Sequence, residues 1–431
     1  MARTLTTQDA YTLINAVVRQ ATGQADITAT DLSSFVSAGE LALATGTENV
    51  LNALSLVLNR TIVATRPYQA RLDLMEQIDT GLYSDRIRKI SYYSKDALPS
   101  GMFNTQLYTN LQDGFTAGQN PDSNGDPQST KSQWEQNQPM PLEMNFAGSS
   151  TWQYAITVYE NQLQKAFRSP EEFNAFVSGY MQEHANDIES EREAWNRINL
   201  LNKIGSIYDM QSDMPLSCHN LTEEYNTKFS TNYTSEQLRT TYLESFLKFF
   251  VSQFKLHSKY MTERSALYHW AVPKTVGSTS YSILRHTPYD RQRVYLYSPL
   301  FTEAEAMVLP QIFNPSYLDI DTQYQEVTYW QSEQSRSAVN IVPAITNTST
   351  GAQAQGDAVS IPYVVGLITD TDGLMTNFQA DISYTTPVEA RKGYRNIWNT
   401  FLKNNIVDNT EKCVLFYMAD PESNEGETEG E

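Results

Sequence analysis

Ser169-Pro170-Glu171-Glu172 opens a run of sequence that keeps one helical period as far as Gly205. The start is specified twice. Ser169 and Glu172 have the spacing of a capping box, and Pro170 sits at the first helical position, where its missing N–H leaves no hydrogen bond unmade. Phe173, Phe176, Val177, Tyr180, Met181, Ile188, Trp195, Ile198, Leu201 and Ile204 then recur at steps of three and four. That spacing predicts a single apolar stripe, with Phe173, Phe176, Val177, Tyr180, Trp195 and Ile198 on the core side. Gly205 is the expected stop. At 1.5 Å per residue the helix is on the order of 50 Å long, more than a small domain needs. A helix of that length beside a long stretch that cannot pack on its own points to a part of an assembly.

That stretch runs from Pro99 to Ser149. Asn120-Pro121-Asp122-Ser123-Asn124-Gly125-Asp126-Pro127 within it is saturated with turn formers. Ile87 to Tyr93 alternates as a strand before it, and Trp152 to Val158 alternates as a strand after it, so Ile87 to Val158 reads as one giant hairpin. Met102, Phe103, Leu107, Tyr108, Phe115, Trp134 and Met140 are spread through the intervening residues. They are expected to dock on another subunit, because a loop this long is rare in a compact domain unless it is functional.

The 431 residues are 40% hydrophobic, which supplies a substantial core and excludes global disorder. No apolar stretch approaches the roughly 20 residues of a membrane span, and Met1-Ala2-Arg3-Thr4 leads into a polar helix, so a cytosolic protein without membrane contact is expected. Fifty acidic residues against 31 basic ones leave a formal charge of −19, which opposes general affinity for nucleic-acid backbones. Glu422, Glu425, Glu427, Glu429 and Glu431 concentrate part of that charge in a tail.

Elsewhere, Thr7 to Gln20 reads as a helix ended by Gly23, and a second helix is expected from Thr47 through Leu58. Thr234 and Gln237 open a helix carrying Leu238, Leu243, Phe246, Leu247, Phe250 and Phe254. Arg293 to Tyr297 reads as a strand, Thr302 to Leu309 as a short helix, and Tyr363 to Thr369 as a strand entering the turn Asp370-Thr371-Asp372-Gly373. Phe378 to Thr385, a segment from Asn396 to Leu402 and the strand Lys412 to Met418 close the chain.

No phosphate-cradling, zincin or nucleophile-elbow motif occurs. His184, His219, His257, His269 and His286 never fall at metal-ligand spacing, and Cys218 and Cys413 are far apart, so satisfied or surface histidines and free thiols are expected. No catalytic, cofactor-binding or metal-ligating residue is assigned. Arg86-Ile87-Arg88-Lys89 and Arg391-Lys392-Gly393-Tyr394-Arg395 could face DNA or pair with the carboxylates of a neighbouring subunit, but solvated basic faces are the preferred reading.

An N-terminal arm, a long hairpin, a spine-like helix and a mixed α+β remainder resemble the Hong Kong 97 fold of tailed-phage major capsid proteins. The strand Arg293 to Tyr297 with Glu303-Ala304-Glu305-Ala306, and the later block Val364 to Met418 with Asp370-Thr371-Asp372 and Tyr394 to Trp398, are similar in style to small short-tailed phages of the phi twenty-nine type. The resemblance implies an α+β fold with an N-terminal arm and helices at 1–84 and an extended loop at 85–158. A peripheral domain with the spine helix at 159–258 and a mainly axial domain at 259–385 follow, then closing strands and helix at 386–420 and the acidic tail at 421–431. It further implies a non-enzymatic shell protein that associates with itself in hexamers and pentamers and lies beside packaged double-stranded DNA without reading it. Scaffolding, portal and minor head proteins are the implied partners, host cytoplasm the place of assembly, and no cofactor is implied. Some members crosslink a loop Lys to a neighbour's Asn. Nothing marks a partner for Lys95 or Lys131, so that chemistry is not carried over. The competing readings are a cytosolic enzyme of unknown type, against which the missing motifs count, and another virion component such as a tail or portal protein.

Overall fold

The computed structural model describes residues 7–23, 28–45, 72, 74–78, 86–93, 139–147, 150–214, 216–276, 279–300, 302, 324–347 and 352–420. In chain order the helices are α1 (Thr7–Thr22), α2 (Leu32–Ala44), α3 (Glu160–Ala166), α4 (Pro170–Asp209), α5 (Leu221–Phe229), α6 (Ser235–Arg239) and α7 (Leu243–Thr262). The strands are β1 (Glu76–Ile78), β2 (Arg86–Tyr92), β3 (Pro141–Ala147), β4 (Ser150–Tyr159), β5 (Cys218–Asn220), β6 (Lys274–Val276), β7 (Thr279–Tyr281), β8 (Gln292–Tyr297) and β9 (Tyr324–Val327). They continue with β10 (Val339–Ile341), β11 (Ala344–Thr346), β12 (Gln353–Gln355), β13 (Val359–Ile361), β14 (Tyr363–Asp370), β15 (Leu374–Thr385), β16 (Tyr394–Val407) and β17 (Cys413–Met418).

The long helix α4 is there, and it is longer than its sequence signals say. The Ser169 hydroxyl accepts the Glu172 amide at 3.2 Å and Pro170 is the first helical residue. The helix then runs 40 residues, roughly 60 Å at 1.5 Å per residue, and passes straight through Gly205. Gly205 is therefore not a stop. A Cβ there would lie 2.8 Å from Ile341 Cγ2 and 3.1 Å from Pro343 Cβ, so the missing side chain lets the segment after β10 approach the helix backbone.

The apolar stripe divides between two cores. Phe173 joins Phe35 of α2, Phe167 after α3, and Leu13, Ile14, Val17 and Val18 of α1 in an N-terminal cluster, with Phe176 packed on its edge. Leu200, Leu201, Ile204 and Ile207 enter the main core instead. Between them Trp195 is half-buried, edge-on to Trp152 at 5.9 Å, with the Lys403 ammonium 5.0 Å and 5.5 Å from the two rings. Ile198 corrects the expectation: it is 47% exposed. The face buried here carries Asn196, Asn199, Lys203 and Ser206, and Ile198 stands about 200° round the helix from Asn196 at 100° per residue. Val177 and Tyr180 lie in α4, but their side chains fall outside what is described.

Two sheets organise the rest. Their strand orders are β1-β15-β16-β4 and β5-β17-β14-β8-β9. Every residue of β14 is buried, so its apolar run is that of a central strand. Phe416 meets Phe250 and Phe254 of α7 at 5.6 and 6.0 Å, while its neighbour Tyr417 meets Tyr208 of α4 at 5.3 Å. Consecutive strand residues point to opposite faces, so α7 and the end of α4 cover the five-stranded sheet from its two sides.

Other expectations are revised. β2 pairs with β3, Arg86 opposite Ala147 through Tyr92 opposite Pro141. Trp152 to Val158 lies in β4 and pairs with β16, so it is not the returning arm of the hairpin. The helix begun at Thr234 breaks after Arg239, although the Thr234–Gln237 capping box forms in full, and α7 starts at Leu243. Residues 386–420 contain strands and turns but no helix. α2 went unpredicted because its Ser, Ala and Gly residues blur the apolar period; Asp31 and Ser34 cap it reciprocally. The expected helices from Thr47 and Thr302 fall outside the described residues, apart from Thr302 itself.

Candidate assembly surface and its anchor

The β2–β3 hairpin has two unlike faces because its side chains alternate. Arg88, Ile90 and Tyr92 point outward beside Pro141, Glu143 and Asn145. Ile90 is 47% and Tyr92 59% exposed, while Arg88 pairs with Glu143 at 2.7 Å in solvent. Lys89 and Ser91 point inward. At the open end the Tyr93 amide donates to the Met140 carbonyl at 3.0 Å, one step beyond the Tyr92–Pro141 pair, and Met140 is half-buried. Of the residues expected to dock on a neighbour, Met140 is the one described. Met102, Phe103, Leu107, Tyr108, Phe115 and Trp134 fall outside the described residues.

The inward face is held by charge. The Lys89 ammonium lies 2.5 Å from Asp408 Oδ2 and 2.6 Å from Glu411 Oε1. Arg285 reaches Glu411 at 3.3 Å and donates to the Ser91 hydroxyl at 2.6 Å and to the Thr410 carbonyl at 3.2 Å. From the helix side Lys203 donates to the Asp408 carbonyl at 2.8 Å and to Asn409 Oδ1 at 3.0 Å. Asp408 also accepts the amide and hydroxyl of Thr410 at 2.8 and 2.7 Å, which closes an Asx turn. Asp408-Asn409-Thr410-Glu411-Lys412, buried throughout, thus ties the hairpin to α4 and to the five-stranded sheet.

Electrostatics set the charge state of this knot. Burial works against the Lys89 ammonium, but the Asp408 and Glu411 carboxylates outweigh it and hold its pKa above the ordinary lysine value. Burial likewise pushes Asp408 up, and Lys89 and Thr410 overcome it, so Asp408 titrates below the usual aspartate range. At Glu411 burial prevails over Lys89 and Arg285, and the carboxyl is raised. Lys412 beside it is pushed down to about 8 by burial, opposed in part by Glu263. What the arrangement can do is bear load at the root of the hairpin.

The basic run at Arg86 therefore splits. Arg88 is the solvated charge expected, and Lys89 is the buried clamp that the sequence reading missed. The second run splits too: Arg391 and Lys392 are exposed and Arg395 is buried. A polar five-residue stretch between two apolar strands resembles any exposed turn, so nothing local marks 408–412 as a hub.

Among solved structures, the chain is similar to the capsid of Staphylococcus phage Andhra at 9% identity, covering 81% of this chain and 84% of that one, with a TM-score of 0.47. It is similar to a chain in the structure of the head fibre and inner core protein gp22 of bacteriophage P68, at 9% identity, 80% and 83% coverage and a TM-score of 0.43. The mature capsid of bacteriophage PhiM1 follows at 9% identity, 82% and 88% coverage and a TM-score of 0.39. No curated protein matches by sequence. The model of the Phi29-like phage major capsid proteins matches residues 112–417, well over half of the chain, and the chain belongs to that family.

Proposed function

We propose that this capsid protein has a Hong Kong 97-like fold and builds an icosahedral shell of hexamers and pentamers around packaged double-stranded DNA. In this reading the hairpin and the residues between its arms, 86–147, reach a neighbouring subunit, and Met102, Phe103, Leu107, Tyr108, Phe115, Trp134 and Met140 dock there. The carrying observation is the hairpin root: a buried ion knot fastens one face while Ile90 and Tyr92 stand exposed on the other. A clamp this elaborate fits an element that transmits force to another subunit. The chain has no enzymatic role in this reading. The domain limits are a peripheral unit at 159–258 and a mainly axial one at 259–385. Scaffolding, portal and minor head proteins are its partners during assembly in the host cytoplasm. The formal charge of −19 suits a wall that repels DNA and keeps it from adhering during packaging.

Replacing Asn104 to Pro139 by a short Gly-Ser linker tests this. Circular dichroism should keep the native helix content, and sedimentation of the same sample should show loss of capsomers and shells. Intact particles would refute the docking role, and an unfolded product would assign the segment to the subunit's own core.

A further inference from the structure

Sequence spacing gave the histidines no metal-ligand pattern, but the fold brings two of them together with a carboxylate. His219 lies in β5, Glu224 in α5 and His257 in α7, and one ligand atom from each lies within 4.8 Å of the others. The imidazole rings are 3.9 Å apart between centroids. Both histidines are buried.

Each ring is also oriented as a ligand would be. His219 Nε2 donates to the Leu216 carbonyl at 2.9 Å, and Nδ1 is turned to Glu224 at 2.6 Å, a contact whose shared proton a metal ion would displace. His257 Nδ1 meets the Tyr268 hydroxyl at 3.2 Å, which leaves Nε2 to ligate. Metal-bound histidines characteristically anchor their second nitrogen on a carbonyl or another polar group in this way. Phe416 stands 5.8 Å from the His219 ring and 5.7 Å from the His257 ring, and Tyr260 is 6.2 Å from His257, so aromatic rings wall the two imidazoles while Glu224 keeps partial contact with solvent.

We propose that His219, Glu224 and His257 form a divalent-cation site, a two-imidazole, one-carboxylate set suited to zinc with water as a fourth ligand. Such a set matches the zinc preference for nitrogen and carboxylate donors at about 2.0–2.2 Å. Glu224 and His219 would separate slightly as the ion entered between them. The ion would cross-link the edge strand β5 to α5 and α7, and so brace this edge of the five-stranded sheet.

The test uses the full chain, stripped with a chelator and dialysed against zinc or cobalt chloride. One zinc per chain by elemental analysis, a higher thermal midpoint with zinc than with chelator, and the visible absorption of four-coordinate cobalt are expected. His257→Gln and Glu224→Gln should each lower zinc affinity by about 10-fold or more. Failure of the native chain to retain zinc would overturn the proposal, and this readout does not depend on any variant folding. A sulfur-to-cobalt charge-transfer band would move the ion to Cys218 and equally overturn it. Zinc retained undiminished by both variants would do the same.

Discussion

Lys89→Met keeps an unbranched side chain of similar length and removes the ammonium that joins the hairpin to Asp408 and Glu411. Removing one partner from a buried ion pair typically costs about 3–5 kcal/mol, mostly from the charge left behind. Three features of the site moderate that figure. Lys89 keeps a fifth of its side chain in solvent, Arg285 remains 3.3 Å from Glu411, and Asp408 keeps its two bonds from Thr410. An expected loss of about 2–4 kcal/mol follows. Its pH dependence carries a sign. With the ammonium gone, both carboxyls should titrate higher in the folded chain than in the unfolded one. The folded variant then holds protons that the unfolded chain releases, and its deficit should shrink as pH falls toward the carboxylate range. The native chain behaves oppositely at Asp408, whose depressed pKa contributes stability that is lost as pH falls through its folded value. Urea unfolding of the native chain and variant at neutral and mildly acidic pH measures both effects. Hydrogen exchange should quicken at β2 and at the Tyr93 amide while β14 stays protected. A deficit below about 0.5 kcal/mol at neutral pH, or one that grows in acid, would refute the clamp.

Gly205→Ala should destabilise by about 1–3 kcal/mol in thermal or urea unfolding, although alanine is the better helix former, because its Cβ collides with Ile341 and Pro343. Trp195→Ala should cost near the lower end of about 3–5 kcal/mol, since the ring is only half-buried; an unchanged thermal midpoint would deny it a packing role. Ending the chain after Asp420 keeps the carboxylate that accepts the Ser235 amide, so shells and their DNA should survive by electron microscopy and nuclease protection. Lys412, depressed to about 8 from 10.5, holds its proton in the unfolded chain but not in the folded one between those values. Stability should therefore rise with pH across that window, and Lys412→Met should abolish the rise in urea titrations.

Signals that act within a few residues were legible. Ser169, Glu172 and Pro170 fix where α4 begins, the apolar runs mark β8, β14 and β17, and Gly23, at φ 72, ends α1. These depend on backbone geometry and on neighbours three or four positions away, which the sequence contains in full. Strand pairing was not legible. Trp152 to Val158 alternates equally well against β2 or β16, and only the packing of Trp152 and Lys403 against Trp195 of α4 selects the second. The same limit explains Ile198, apolar on an exposed flank, and Gly205, which resembles a stop until Ile341 and Pro343 crowd it. The charged knot lay furthest from the sequence's reach. Lys89, Lys203, Arg285 and Asp408 are hundreds of residues apart at the extremes, and each alone has the look of a solvated charge. Burying any one of them unpaired would be prohibitive, so their roles exist only where the tertiary fold brings donors and acceptors into contact.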